Sequence, residues 1–333
     1  MADVDVDVDV DVDVLVVGAG PSGLYAAYYA GFRGLSVAVV DGLPEAGGQI
    51  TALYPEKLIY DIAGFPAVKG KDLVENLVAQ AAPFGPHYLL AQQAVSYTDQ
   101  GDHVLIGTAS GTVVKARAVV VTGGIGTFTP RPLPGGDVWE GRGLEYIVPT
   151  YLPYAGKDVI VVGGGDSAVD WALGLEGVAS SVTLVHRREQ FRAHAHSVKL
   201  LHHSNITVIT PVSPMAINGE ATLASITVRD VKTKQVRELP CQAIVAALGF
   251  TADISPLEAW GLTVQERHVI VDTTMATNLP RVFAAGDITD YPGKVRLISV
   301  GFGEAATAVN NAATVIDPGA TVFPGHSTEG AVA

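Results

Sequence analysis

At 333 residues the chain is long enough for two domains with sizeable cores, and 48% hydrophobic against 17% charged residues marks it as globular rather than disordered. A net charge of −13 argues against nucleic acid and anionic membrane surfaces as general partners, and no apolar run is long enough to span a bilayer. The single cysteine, Cys241, excludes an intrachain disulfide and suits a reducing cytoplasm, where the acidic, signal-free start MADVDVDVDV also places the chain.

Residues 3 to 14 are six Asp-Val repeats. Alternation at period two is formally a strand pattern, yet carboxylates repeated along one face repel one another. Residues 1 to 11 are therefore expected to form a disordered acidic extension, with regular structure beginning near Val12. Val12 to Val17 then reads as a buried strand. Gly18, Gly20 and Gly23 form a full G-x-G-x-x-G, followed by a helix over Leu24 to Gly31 and a second strand, Ser36 to Val40, ending in Asp41. Strand, glycine turn and helix in that order bring a pyrophosphate to a helix N-terminus. An acidic residue about 20 positions on suits a bare ribose hydroxyl.

The segment from 47 to 66, GGQITALYPEKLIYDIAGFP, is loop-rich and carries Tyr54, Tyr60 and Phe65. It is expected to fold along a ligand's ring system or to pack as a surface loop. Lys71 to Ala82 reads as a helix. Residues 87 to 121 alternate in short strands broken at 99–102 and 110–111, a β-meander insertion ending in the strand Ala118 to Thr122. Pro130, Pro132 and Pro134 mark a crossing into a second fold.

That second fold centres on VIVVGGGDSAVDWALGLEGVASSVTLVHRREQFR, residues 159 to 192. Gly163, Gly165 and Ala168 are spaced G-x-G-x-x-A, and the free N–H groups of Asp166 to Ala168 face the phosphates. The strand Val182 to Val185 ends in His186-Arg187-Arg188, not in an acid. Arginine there suits a ribose 2′-phosphate, so this turn is expected to take NADPH or NADP+. Two unlike dinucleotide sites on one chain imply two unlike dinucleotides, with FAD at Gly18–Gly23. A helix over Val198 to His203 follows, then strands at 207–210, 225–230, 243–247, 269–272 and 281–285. A helix over Glu304 to Val315 comes last. The expected fold class is α/β, with two three-layer, Rossmann-like dinucleotide-binding domains. The NADPH domain (123–249) is inserted in the FAD domain (1–122 and 250–333).

Several stretches together resemble the ferredoxin/flavodoxin–NADP+ reductases of the thioredoxin-reductase-like type (type 2). These are GGQITALYPEKLIYDIAGFP, GKDVIVVGGGDSAVDWAL, HRREQFRAHAHSVK, VDTTMATNLPRVFAAGDITDYPGK and PGHST. The two fingerprints are generic, whereas ALYPEK and PGHS are more specific. The resemblance covers residues 12 to 330. It implies FAD contacts from Gly18, Gly20, Gly23, Asp41, Gln49 and Thr328, and from Asp287 in the A-A-G-D run. It further implies Tyr54 on one face of the isoalloxazine and His326 on the other. NADPH would meet Gly163, Gly165, Asp166, Ser167, Arg187, Arg188 and Arg192. The family implied is homodimeric, with the C-terminal tail of one subunit reaching the flavin of the other. Asp41 stands where glutamate is also common, and the Asp-Val repeat has no counterpart.

A thioredoxin reductase would carry a C-x-x-C before the GGGDSA turn. Here that region, residues 143 to 157, has no cysteine, so electrons cannot leave by thiol–disulfide exchange. The expectation is hydride transfer from NADPH to flavin N5, then single-electron transfer to ferredoxin or flavodoxin, with no residue required as acid or base. Because a ring covers each flavin face, a domain rotation or tail displacement is expected during turnover. Alternatives are an NADPH-dependent flavin reductase or diaphorase with another acceptor, and a non-catalytic flavin redox sensor. His194, His196, His202 and His203 read as helix surface, with no metal site.

Overall fold

The computed structural model describes residues 8–124 and 127–326. The chain divides into two compact units: Met1–Thr127 with Ala252–Ala333, and Phe128–Thr251.

The first unit is built on a sheet ordered His87–Leu89, Val37–Val40, Val10–Val17, Val113–Val121, Val104–Thr108, Ala94–Asp99. The first four strands run parallel, and the last two return antiparallel as a meander. Val113–Val121 is long enough to hold two neighbours on one edge. Its first half pairs with the meander, and Val119 to Val121 pair with Val282–Ala284. Val14, Leu15 and Val16 are fully buried, as expected of a parallel strand covered on both faces. The helices Pro21–Phe32 and Ile298–Ile316 pack on each other, with alanines buried on both: Ala26, Ala27 and Ala30 on one, Ala305, Ala308 and Ala312 on the other. Side chains that small permit close approach of the two backbones.

The Asp-Val repeat corrects the sequence expectation. The first strand begins at Val10, not Val12, and Asp9 is already held: its backbone N–H donates to Val113, and its carboxylate accepts the Val113 N–H at 2.7 Å. Repulsion between aspartates is relieved by cations on the neighbouring strand. Lys115 lies opposite Asp11 at 3.0 Å, and Arg117 reaches Asp13 at 3.1 Å. Burial raises the Asp13 carboxyl, but hydrogen bonds from Ser36 and the Arg117 charge outweigh it and hold the group below the usual range. Residues 1–7 of the expected extension lie outside the described residues.

The second unit carries a five-stranded parallel sheet, ordered Leu144–Glu145, Ala243–Ala247, Asp158–Gly163, Ser181–Val185, Thr207–Ile209. A three-stranded antiparallel sheet follows (Val212–Gly219, Leu223–Asp230, Val236–Pro240). The helices Asp166–Glu176 and Ala195–His203 complete the unit. No described helix is long and apolar enough to cross a membrane.

Candidate functional site

In the first unit the central strand Val10–Val17 runs into Gly18, whose φ of +113° an L side chain rarely adopts. A Cβ at Gly18 would lie 2.7 Å from the Thr122 backbone, and one at Gly23 would lie 1.8 Å from the Gly18 carbonyl oxygen. Gly18 thus lets the turn lie against the neighbouring strand's end, and Gly23 lets the helix close on the Gly18 carbonyl. Gly20 differs: a Cβ there would meet nothing within 4 Å. Open space thus lies at the start of the helix Pro21–Phe32, which has no side-chain cap on its first turn. That combination is a cradle for an anionic group.

Asp41 closes the cradle from the second strand. One carboxylate oxygen accepts the Ala19 N–H at 2.6 Å, the other the Leu43 N–H at 2.8 Å. Burial pushes this carboxyl up, and the two N–H bonds oppose that. Each oxygen retains acceptor capacity for a ribose hydroxyl. Sequence reasoning missed Thr122, whose hydroxyl donates to the Gly18 carbonyl at 2.8 Å and so fixes the turn from the far strand. Its only signal was a polar residue ending a valine run before two glycines.

The segment after Gly47 folds back over this turn. The Gly47 N–H donates to the Ala19 carbonyl, and a short helix, Gln49–Leu53, starts where a loop was expected. The Gln49 side-chain amide stands beside Gly124. Tyr54 ends that helix, half-buried, with Lys57 Nζ 5.9 Å from its ring centre. Its phenol is pushed up to about 12 by burial and by the charges of Asp287 and Asp61. Tyr54 and Asp287, far apart in sequence, therefore share one locality. Asp287 follows the strand Val282–Ala284; burial pushes its carboxyl up, against the pull of Lys294 and Arg296. His326 is exposed and meets Phe323 edge-on, 5.1 Å between ring centres. Upstream of it, the Arg33 guanidinium holds the Thr321 and Val322 carbonyls, each at 2.9 Å. Thr328 lies outside the described residues.

The second unit repeats the design. A Cβ at Gly163 would lie 2.4 Å from the Ala247 carbonyl oxygen, whereas one at Gly165 would meet nothing within 4 Å. The helix Asp166–Glu176 again lacks a side-chain cap, and Ser167 is exposed in its first turn. The basic loop is anchored at its C-terminal end. The Arg192 N–H donates to Gly164, and the His194 N–H to the Asp166 carboxylate at 2.7 Å. Asp166 thus orders this loop, a role the sequence did not suggest. Arg187, Arg188 and Arg192 are exposed, and among the described residues no carboxylate pairs with them. Three unneutralised guanidiniums fit a phosphate ester. Beneath the turn lies the His186 ring. Burial, joined by the charges of Arg187, Arg188 and Arg192, holds it below the usual histidine range.

Thiol chemistry finds no footing. Cys241 is 1% exposed, and burial pushes its thiol up to about 12, far from the thiolate needed for exchange. No group of metal-binding side chains occurs among the described residues.

A parallel sheet with a glycine cradle in each unit, one answered by a carboxylate and one by arginines, defines an α/β oxidoreductase with two Rossmann-like domains. Residues 12–312 match the family model of the pyridine nucleotide-disulphide oxidoreductases. The fold is that of thioredoxin reductases: the enzymes of Lactococcus lactis and T. acidophilum each superpose with a TM-score of 0.79, at 26% and 25% identity. Each comparison covers 92% of this chain, with 99% and 98% of the other chain matched. Closer in sequence is a ferredoxin–NADP reductase of Nocardioides sp., 62% identical over 95% of this chain and 96% of its own length. Another, from Frankia alni, is 60% identical over 94% and 98%. The chain belongs to the pyridine nucleotide-disulphide oxidoreductases and, within them, to the ferredoxin–NADP reductases.

Proposed function

We propose that this chain is a homodimeric, cytoplasmic, FAD-dependent reductase that moves electrons between NADPH and ferredoxin or flavodoxin. The observation that carries the reading is the contrast between two similar cradles, Asp41 answering one and Arg187 with Arg188 the other. Near 60% identity to ferredoxin–NADP reductases over almost the whole chain supports the acceptor.

In this reading unit one holds FAD and unit two holds NADPH. Gly18, Gly20, Gly23, Asp41 and Gln49 bind the adenosine and pyrophosphate end of FAD. Asp287 binds its ribityl region, Tyr54 covers one ring face, and His326 with Thr328 belongs to the tail over the other. Gly163, Gly165, Asp166 and Ser167 receive the NADPH pyrophosphate, while Arg187, Arg188 and Arg192 receive its 2′-phosphate. FAD, when bound, supplies a two-electron acceptor that can release electrons singly. The protein's task is to hold two planar rings in register and exclude water, since no side chain here is needed to move a proton.

In this reading the tail reaches the flavin of a second subunit, and Arg33, at the C-terminal end of the helix Pro21–Phe32, anchors its start through the Thr321 and Val322 carbonyls. Deleting residues 322–333 should leave FAD bound but change the flavin absorption spectrum and slow turnover. An unaltered spectrum and rate would remove the tail from the site.

The purified protein should be yellow, bleach on anaerobic addition of NADPH, and regain colour when oxidised ferredoxin is added. Bleaching without transfer to ferredoxin or flavodoxin assigns another acceptor; failure to bleach leaves a sensor.

A further inference from the structure

Lys294 and Glu304 form an ion pair with side chains only 2% and 5% exposed. Lys294 Nζ approaches both Glu304 oxygens, at 2.5 and 2.7 Å, and donates to the Gly286 carbonyl at 3.0 Å. Glu304 accepts the Gly286 N–H at 2.8 Å and the Tyr291 hydroxyl at 2.6 Å. Thr289 donates to the Gly286 carbonyl at 2.8 Å. Both polar groups of Gly286 are thus gripped by one buried network, and the next residue is Asp287.

The backbone makes this grip tight. Gly286 has φ +82°, and Gly301 on the helix Ile298–Ile316 lies so close that an added Cβ would stand 3.3 Å from the Gly286 Cα. The same Cβ would stand 2.3 Å from the Ser22 hydroxyl at the start of the first helix. Three elements therefore meet at one point. A fully satisfied network is not required to stabilise such a meeting, because apolar packing does so as well or better; buried ion pairs instead fix a unique arrangement.

We propose that Lys294 and Glu304 are positioning residues that hold the Gly286–Asp287 turn in the one arrangement that binds the flavin, and that Lys294 keeps Asp287 and Glu304 from repelling each other. The inference rests on the reading of Asp287 as a flavin ligand. Neither residue touches the reacting atoms; both act through Asp287. The charged and titratable groups facing Asp287 are Lys294, Arg296, Glu304, His268 and Tyr54. Of these, Arg296 is already engaged, at 3.0 Å from Asp290 and 3.2 Å from His268. Lys294 is the cation committed to this site. Without it, two carboxylates face each other across the turn, and their repulsion grows as rising pH ionises Asp287.

The test is release of FAD from the purified full chain on dilution, read by recovered flavin fluorescence. Lys294→Met should release FAD roughly tenfold more readily, and the double variant Lys294→Met/Glu304→Gln should recover part of that loss. The deficit of Lys294→Met should widen as pH rises, because burial pushes the Asp287 carboxyl up and its ionisation is then no longer offset by the Lys294 charge. If Lys294→Met does not fold, the isosteric Glu304→Gln alone serves, with FAD release expected to quicken severalfold. Unchanged FAD release in a folded single variant overturns the proposal. So does a loss that is constant with pH and unrelieved in the double variant, which marks a merely structural pair. Asp287→Ala separates the two readings. If it weakens FAD while Lys294→Met does not, the positioning role alone fails. If Asp287→Ala leaves FAD in place, the flavin assignment of this turn fails with it.

Discussion

Replacing Arg187 and Arg188 together by alanine is expected to raise the KM for NADPH roughly a hundredfold, with the KM for NADH left nearly unchanged. Each guanidinium lost to a phosphate ester removes a charge-assisted bond, and two at a solvent-facing site amount to about 3 kcal/mol, or two powers of ten. The loss is confined to the 2′-phosphate because nothing else depends on these side chains. Both are exposed, and among the described residues neither is paired with a carboxylate. The loop itself should survive the change, since it is held by bonds from the Arg192 N–H to the Gly164 carbonyl and from the His194 N–H to the Asp166 carboxylate. Steady-state kinetics with both nucleotides decide the matter. An unchanged preference between them would sink the 2′-phosphate assignment.

Gly20→Val yields a folded, colourless protein. Gly20 has φ −71°, open to any residue, and a Cβ there meets no protein atom within 4 Å. A valine is thus accommodated by the empty fold at a cost of about 1 kcal/mol in helix capping. If that space receives the pyrophosphate as proposed, FAD affinity should fall by roughly a thousandfold or more, the scale of losing several phosphate contacts of about 1.5–3 kcal/mol each. The neighbouring glycines behave otherwise. Alanine at Gly18 would collide with the Thr122 backbone and at Gly23 with the Gly18 carbonyl, and either should destabilise the fold itself. The ratio of flavin to protein absorbance, measured beside the thermal unfolding of each variant, separates the two outcomes. A Gly20→Val protein that purifies with full flavin would show that the phosphate lies elsewhere.

These glycines were legible in the sequence because their constraint is local: a turn closing on its own atoms needs missing Cβ groups at fixed spacing. The valine strands beside them were legible for the same reason. What escaped was set by distant partners. The last helix begins at Ile298, not Glu304, although Gly301 and Gly303 oppose helix formation. The close contact of Gly301 with Gly286 and Ser22 overrides that propensity. The short helix Gln49–Leu53 was read as loop because five residues carry no period. Asp11 and Asp13 were read as repelling neighbours, since Lys115 and Arg117 come beside them only through strand pairing. Lys294 and Glu304 look like ordinary surface charges until burial gives them meaning.

That paired Asp-Val strand has one more consequence. Its register with Val37–Val40 begins only at Val14, so the residues from Val10 to Val12 have a strand neighbour on one side alone. Among the described residues no strand pairs with their other side, and such an edge is the kind of template on which a second chain can stack by backbone bonding. Valine at every other place would make that edge adhesive. Aspartate between the valines interrupts that apolar run with a hydrated polar group at every second place. The repeat that looked least compatible with a sheet is thus what keeps this edge from being a continuous apolar one.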